Sequence, residues 1–286
     1  MKDGILLVNK PENITSNDLV LKIKKYLNLK AGHTGTLDYA ATGLMIITLQ
    51  KAVKITPYLQ NLDKEYIAVG ELGKITDTYD RNGRIIEERE VNITEEKLID
   101  VIKSFKKSYY QMPPPYSAKR IKGKRAYQFA KKGEEPDLKP KFVHIYDIQI
   151  LEISLPFFTI KINCSSGTYI RSIIKEIGDE VGTGAYLKAL QRTKIGKFSL
   201  QESINLEDLL KMKPEEVEAH IIPITDALYF MDSVILDEML IDRFTKGQRL
   251  KIDKENKEFV KVLDKNLNTV GIGKIEDGIL KPIRII

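Results

Sequence analysis

Gly32-His33-Thr34-Gly35-Thr36-Leu37-Asp38-Tyr39-Ala40-Ala41-Thr42-Gly43-Leu44 sets a single carboxylate inside a run of glycines and threonines that leads directly into an apolar segment. Glycines at 32, 35 and 43 permit positive φ and close backbone approach, so the chain can turn sharply and still present Asp38 outward. Two readings of Asp38 are open from this spacing. It closes an Asx-turn ahead of a strand over 44–49, or it is a functional carboxylate. A phosphate-binding loop is excluded, because no Gly-Lys-Ser/Thr follows and the next segment is strand-like rather than a helix N-terminus.

Composition narrows the class. The chain has 286 residues, enough for a sizeable core and one or two domains. One cysteine, Cys164, excludes an internal disulfide, and the three histidines, at 33, 144 and 220, lack zinc-ligand spacing, so no metal is expected. The segment Met1 to Val8 is too short in its apolar part for a signal peptide, and no apolar run approaches the ~18 residues of a membrane span, so no membrane association and a cytoplasmic location are expected.

The charge is concentrated. Between Val101 and Gly133 lie Lys103, Lys106, Lys107, Lys119, Arg120, Lys122, Lys124, Arg125, Lys131 and Lys132 with no Asp or Glu, whereas the whole chain is only +6, so the remainder is net negative. Phe105, Tyr109, Tyr110, Tyr116, Tyr127 and Phe129 are interleaved with these cations. A solvated helix face normally mixes both signs. The segment therefore predicts a surface for a polyanion, neutralising phosphates while offering rings to bases.

Element signals alternate irregularly, which predicts a mixed-sheet α+β fold rather than a doubly wound one. A strand over 5–9 is stopped by Pro11, and Thr15-Ser16-Asn17-Asp18 caps a helix carrying Leu19, Val20, Ile23, Tyr26 and Leu27 on one stripe. Further strands are predicted over 44–49 and 66–72, with a short helix over 52–59 broken near Pro57. Thr94 opens another helix. A strand pair over 141–153 and 157–164 turns at Leu155-Pro156, and a helix from Tyr169 to Val181 stops at Gly182. Short helices are expected over 185–192 and 205–212. The stretch 212–218 with Pro223 reads as a linker, and the short strands after Ser233, separated by Lys-Gly, Lys-Asn and Asp-Gly turns, read as a small β module. Residues 1–230 are thus expected as one domain, with a basic insertion over about 105–142, and 233–286 as a second.

The stretch from Gly32 to Leu44 resembles the G-H-x-G-x-L-D-x-x-A-x-G signature of the TruB family of tRNA pseudouridine synthases, which isomerise uridine 55 in the T-loop. Asn9-Lys10-Pro11, Ser16-Asn17-Asp18, Lys64-Glu65-Tyr66, Thr76-Asp77-Thr78-Tyr79-Asp80, Pro115-Tyr116-Ser117-Ala118-Lys119 and Gly167-Thr168-Tyr169-Ile170-Arg171 resemble further blocks of that family, in order and at compatible spacing. Tyr39 stands where the family usually has proline, and Asn9 where aspartate is commoner. The resemblance implies a pseudouridine synthase catalytic fold and makes Asp38 the catalytic carboxylate. It makes Arg171 the partner of Asp38, and Tyr66 a catalytic ring that stacks on the flipped uracil and accepts the C5 proton. His33 and Tyr169 become contacts to the target nucleotide, Leu190 a wall of the uracil pocket, and Lys10 either a phosphate contact or a brace for the loop. Asp77 and Asp80, ahead of Asn82-Gly83, read as a hairpin turn and stay outside the catalytic set.

The implied partner is the T-arm of tRNA, bound by a monomer without guide RNA. The basic insertion, with Lys119, Arg120, Lys122, Lys124, Arg125, Lys131 and Lys132 on the RNA backbone, corresponds to the family's RNA-gripping lobe. The C-terminal module is similar to a PUA-type RNA-binding domain. Pseudouridine formation breaks C1′–N1 and makes C1′–C5 with no net redox change, so no cofactor is implied. A carboxylate with an ordinary pKa of about 3.9 is ionised at neutral pH and suits the reaction. Attack at C1′, attack at C6 and removal of a C2′ proton are each open to it.

Overall fold

The structure is a computed structural model that describes residues 2–117, 120–121, 124–125 and 138–286. β1 (Gly4–Lys10) ends at Pro11, and α1 (Ser16–Leu27) begins where the Thr15 hydroxyl accepts from the Asp18 amide at 3.0 Å, as the T-x-x-D spacing predicts. β2 (Ala31–His33) and β3 (Thr42–Leu49) flank the glycine-rich loop. The helix expected over 52–59 is two pieces, a 3-10 turn Gln50–Ile55 and α2 (Thr56–Gln60). Pro57 sits in the first turn of α2, where its missing N–H is harmless.

β4 (Lys64–Leu72) is followed by the hairpin β5 (Lys74–Thr76) and β6 (Ile85–Glu88), then by α3 (Glu95–Ser104), capped by Thr94. β7 (Ser108–Gln111) precedes a two-stranded ribbon, β8 (Arg120–Ile121) paired to β9 (Lys124–Arg125), inside the basic insertion. β10 (Lys141–Ser154) and β11 (Phe157–Cys164) form the expected antiparallel pair, and α4 (Ile170–Val181) stops at Gly182 with φ +89°.

The segment expected as a helix over 185–192 is instead β12 (Ala185–Ile195), a central strand. It runs parallel to β3 through Gln191 and Arg192 and antiparallel to β4 along nearly its whole length. Two observations account for the error. Ala, Leu, Lys, Gln and Arg are good helix formers, and register irregularities at Leu187/Ala189 and Arg192/Lys194 break the period-two pattern that marks a strand. Pairing on both edges outweighs local propensity here.

β13 (Phe198–Ser199) pairs with β12, and β14 (Ile204–Asn205) lies parallel to β1. α5 (Leu206–Leu209) and α6 (Pro214–Ala219) follow, and β15 (Ile222–Pro223) pairs with β1. The stretch read as a linker is therefore corrected. Residues 214–219 are helical, Val217 is fully buried, and Pro223 lies on the sheet opposite Gly4.

Among the described residues the main sheet has eleven strands, with the path β14-β1-β3-β12-β4-β11-β10-β7. Alternation distributes its side chains. Leu6, Val8, Met45 and Ile47 join a core with α1, α3 and α4 on one face, while Ile5, Leu7, Leu44 and Ile46 join a second core on the other. After α7 (Ile224–Ala227) the chain enters a five-stranded sheet made of β16 (Asp232–Ile235), β17 (Leu250–Lys251), β18 (Lys257–Leu263), β19 (Thr269–Glu276) and β20 (Ile279–Ile285), with α8 (Glu238–Thr245) packed on it through Phe244. The α+β class and the small C-terminal β module thus stand as expected. The module is docked rather than tethered: Ile272 enters the second core, and the Tyr58 and Phe259 rings meet edge to face at 5.3 Å.

Candidate active site

The loop carrying Asp38 is fixed from several sides. The Ser16 hydroxyl accepts from the Leu37 amide at 2.8 Å and donates to the Leu37 carbonyl at 2.9 Å. The Ala41 amide closes a turn on the Asp38 carbonyl at 3.1 Å, and Arg192 donates to the Gly35 carbonyl at 3.2 Å. The turn therefore uses the Asp38 backbone and leaves its carboxylate available.

That carboxylate is met by Arg171, at the start of α4. Nε lies 3.0 Å from Oδ2 and Nη2 donates to Oδ1 at 3.2 Å, a bidentate pair. The same guanidinium also donates to the carbonyls of Thr78 at 3.1 Å and Tyr116 at 3.0 Å, and pairs with Asp80 Oδ2 at 3.3 Å. The guanidinium thus makes three hydrogen bonds and is paired with two carboxylates. Asp80 is held in turn, its Oδ1 accepting from the Thr78 hydroxyl at 2.7 Å and the Asn82 amide at 3.0 Å. The hairpin turn is real, but it also delivers a second carboxylate to Arg171, which the sequence reading left out.

Burial pushes the Asp38 carboxyl above the usual range, Arg171 pulls it back, Asp80 raises it again and Lys10 lowers it; the net direction is upward. A cavity of about 550 Å³ opens over this pair. Its walls include Tyr66 and Lys64 from β4, Leu190 and Arg192 from β12, and Ser166 to Arg171 at the start of α4. The volume suits a nucleotide-sized ligand. Burial also pushes the Tyr66 phenol up, against the lowering effect of the Arg192 guanidinium.

Arg192 was not anticipated. It is 2 % exposed, donates to the Leu44 carbonyl at 2.8 Å, and pairs in register with Tyr66 across β12 and β4. From the sequence alone it stands only at the end of an expected short helix. Gly43, φ +108°, shows how closely the strands approach there, since an added Cβ would stand 2.3 Å from the Arg192 carbonyl oxygen.

The structure brings Asp38, Tyr66, Arg171, Tyr169 and Leu190 to one cavity. Tyr169 is fixed through its backbone, which exchanges hydrogen bonds with the Gln111 carboxamide at 2.8 and 3.1 Å. His33 lies on β2 opposite Ile47, one residue before the cavity wall begins at Thr34. Lys10 is corrected as a substrate contact. It is fully buried, its ammonium donates to the carbonyls of Pro11, Tyr39 and Ala41 at 3.0, 3.3 and 2.6 Å, and burial lowers it to about 8. It braces the loop, the other role open to it from sequence. Of the insertion residues, Arg120 pairs with Arg125 across the ribbon and Lys124 with Ile121, while Lys119, Lys122, Lys131 and Lys132 lie outside the described residues.

The family described as TruB family pseudouridylate synthase (N terminal domain) matches residues 21–170. The description tRNA pseudouridylate synthase B C-terminal domain matches 171–229, and Pseudouridine synthase II TruB, C-terminal matches 233–286. A tRNA pseudouridine synthase B of Clostridium tetani is 43% identical over 92% of this chain and 90% of its own length. One of Aquifex aeolicus is 36% identical over 99% of each. Among solved structures, a crystal structure of a Cbf5-Nop10-Gar1 complex contains a chain that superposes with a TM-score of 0.77 at 25% identity, covering 99% of this chain and 85% of that one. An H/ACA RNP bound to a substrate RNA containing 2'-deoxyuridine gives a TM-score of 0.75 at 24% identity, over 99% and 84%, a likeness of fold.

Proposed function

The chain belongs to the TruB family of pseudouridylate synthases, and from that membership we propose that it converts uridine 55 in the T-loop of tRNA to pseudouridine, with Asp38 as the catalytic carboxylate. The observation that carries this reading is the Asp38 carboxylate, both oxygens held by Arg171, in the lining of a cavity that Tyr66 also lines. Relatives matched over nearly their whole length bear the name tRNA pseudouridine synthase B, which favours tRNA as the substrate.

The target base is stacked in a folded T-loop and must be extruded at a cost of a few kcal/mol. Stacking on Tyr66 returns about 1 to 3 kcal/mol of that, and phosphate contacts from the basic insertion supply further affinity. Arg171 grips both carboxylate oxygens and favours the ionised form against the desolvation of the site. Asp80 and the Thr78 and Tyr116 carbonyls keep Arg171 from following the substrate. Asp38 then acts on the ribosyl-uracil unit so that C1′–N1 breaks and C1′–C5 forms, the C5 proton passing to the Tyr66 phenol oxygen and on to water. In this reading residues 1–230 are the catalytic domain, 233–286 an RNA-binding module, and the enzyme acts as a monomer without cofactor or guide RNA.

The test is tritium release from unmodified tRNA carrying [5-³H]uridine. Wild type should release tritium; Asp38→Asn, and a transcript with cytidine at position 55, should not. Tight tRNA binding by wild type with no release would overturn the reading in favour of a non-catalytic RNA-binding protein.

A further inference from the structure

We propose that Arg192 is a further catalytic residue, its guanidinium meeting the uracil ring and holding the negative charge that builds there while C1′–N1 breaks. This deepens the reading of the site as a pseudouridine synthase and rests on it. The need comes from the chemistry. Attack at C1′ or removal of a C2′ proton sends the C1′–N1 electron pair onto the departing uracil, and attack at C6 makes an enolate at O4. Each route open to Asp38 therefore charges the ring negatively. C5 then bonds to C1′ with a ring electron pair, the C5 proton leaves and N1 gains one, so the charge is transient. A fixed cation that meets charge only as it develops lowers the barrier without tightening the ground state.

Arg192 is placed for this role. It stands opposite Tyr66 in register across β12 and β4, and Leu190, two residues earlier on β12, lines the same cavity, so the three side chains face one space. Its Nε donates to the Leu44 carbonyl at 2.8 Å and its Nη2 to the Gly35 carbonyl at 3.2 Å, which takes two of its five N–H groups. A Cβ on Gly35 would stand 3.5 Å from Nη1, so the guanidinium lies against the loop three residues before Asp38. Both acceptors are uncharged. They orient the guanidinium and leave its charge uncompensated. Among the described residues lining the cavity, Asp38 is the only carboxylate, and Arg171 holds both its oxygens. At 2 % exposure Arg192 is desolvated yet still charged, because arginine keeps its proton in proteins. In so dry a wall its field reaches a ring anion with little screening.

The experiment is single-turnover conversion of T-arm RNA carrying uridine or 5-fluorouridine at the target, with wild type, Arg192→Met and Arg192→Lys. The readout is loss of the starting nucleoside after nuclease digestion and chromatography. Fluorine withdraws electrons and stabilises the ring anion by itself, so the fluorinated ring needs the guanidinium less. Arg192→Met should lose about 100- to 1,000-fold on uridine and about tenfold less than that on 5-fluorouridine, and Arg192→Lys should recover part of the uridine rate. A residue that only props the loop slows both substrates alike. Equal losses on the two, or an unchanged rate on uridine, therefore overturn the proposal. If Arg192→Met does not fold, Arg192→Lys decides by the same comparison, since a point charge replaces the planar fork and should cost more on uridine than on 5-fluorouridine. Failure of the wild type to convert uridine overturns the synthase reading and this role together, whereas normal conversion with equal losses in the variants overturns this role alone.

Discussion

At the scale of single residues the site is an arginine arranged around a carboxylate. Arg171 is held by Asp38, Asp80 and two carbonyls, so it is set before substrate arrives. In the proposed reaction Asp38 acts as the ionised carboxylate, and its carboxyl sits above the ordinary value of 3.8 because burial outweighs Arg171. The sign follows: activity rises with pH through a midpoint above 3.8, rather than at it. A kcat/KM profile should place the acid limb there. Carboxyl-carbon NMR of Arg171→Met should show the Asp38 titration moved higher still, because the neighbouring positive charge is gone. An unmoved titration would mean that Arg171 orients Asp38 without tuning it.

Elements decide how the residues meet. α4 packs on β12 so closely that a Cβ on Gly178 would stand 2.2 Å from the Ala185 amide nitrogen. Gly→Ala inside a helix normally gains about 1 kcal/mol. Here Gly178→Ala should lose about 1 to 3 kcal/mol by overpacking, read as a lower urea midpoint at constant m. At the far end of the same strands Glu71 is buried and accepts from Lys188, Tyr186 and Lys74. Burial raises it, but those hydrogen bonds more than reverse the effect and bring it down to about 2 from 4.5. Its stabilisation, on the order of 3 kcal/mol, is present above about pH 4.5 and is lost as the pH falls towards 2. Glu71→Gln should therefore flatten acid unfolding in that window while lowering stability at pH 7.

On the scale of the whole molecule the C-terminal module is part of the scaffold. Ile272 packs with Ile224, Ala227, Leu228 and Met231, and Lys261 donates to the Thr225 and Leu228 carbonyls at 3.0 and 3.3 Å. Removing residues 233–286 opens this core. The truncated chain should melt lower than the full chain, which should unfold in one calorimetric transition; two separate transitions in the full chain would show the docking to be weak. Among the described residues, no helix is long and apolar enough to cross a membrane.

Local signals carried much of this. Thr15 and Thr94 announced their helices because a cap is a contact three residues long, Gly182 announced a stop, and the unbroken apolar runs of β1 and β3 announced strands. The order of blocks from Asn9 to Arg171 identified the carboxylate and its partner, although they are far apart in sequence. Tertiary structure alone decided that residues 185–195 form a strand, because both its edges are paired by segments more than a hundred residues away. It alone made Arg192 a buried wall of the cavity, brought Asp80 to Arg171, and withdrew Lys10 beneath the loop. In each of these cases the residue's environment is built by distant backbone carbonyls and carboxylates, which leave no trace in the local periodicity of the chain.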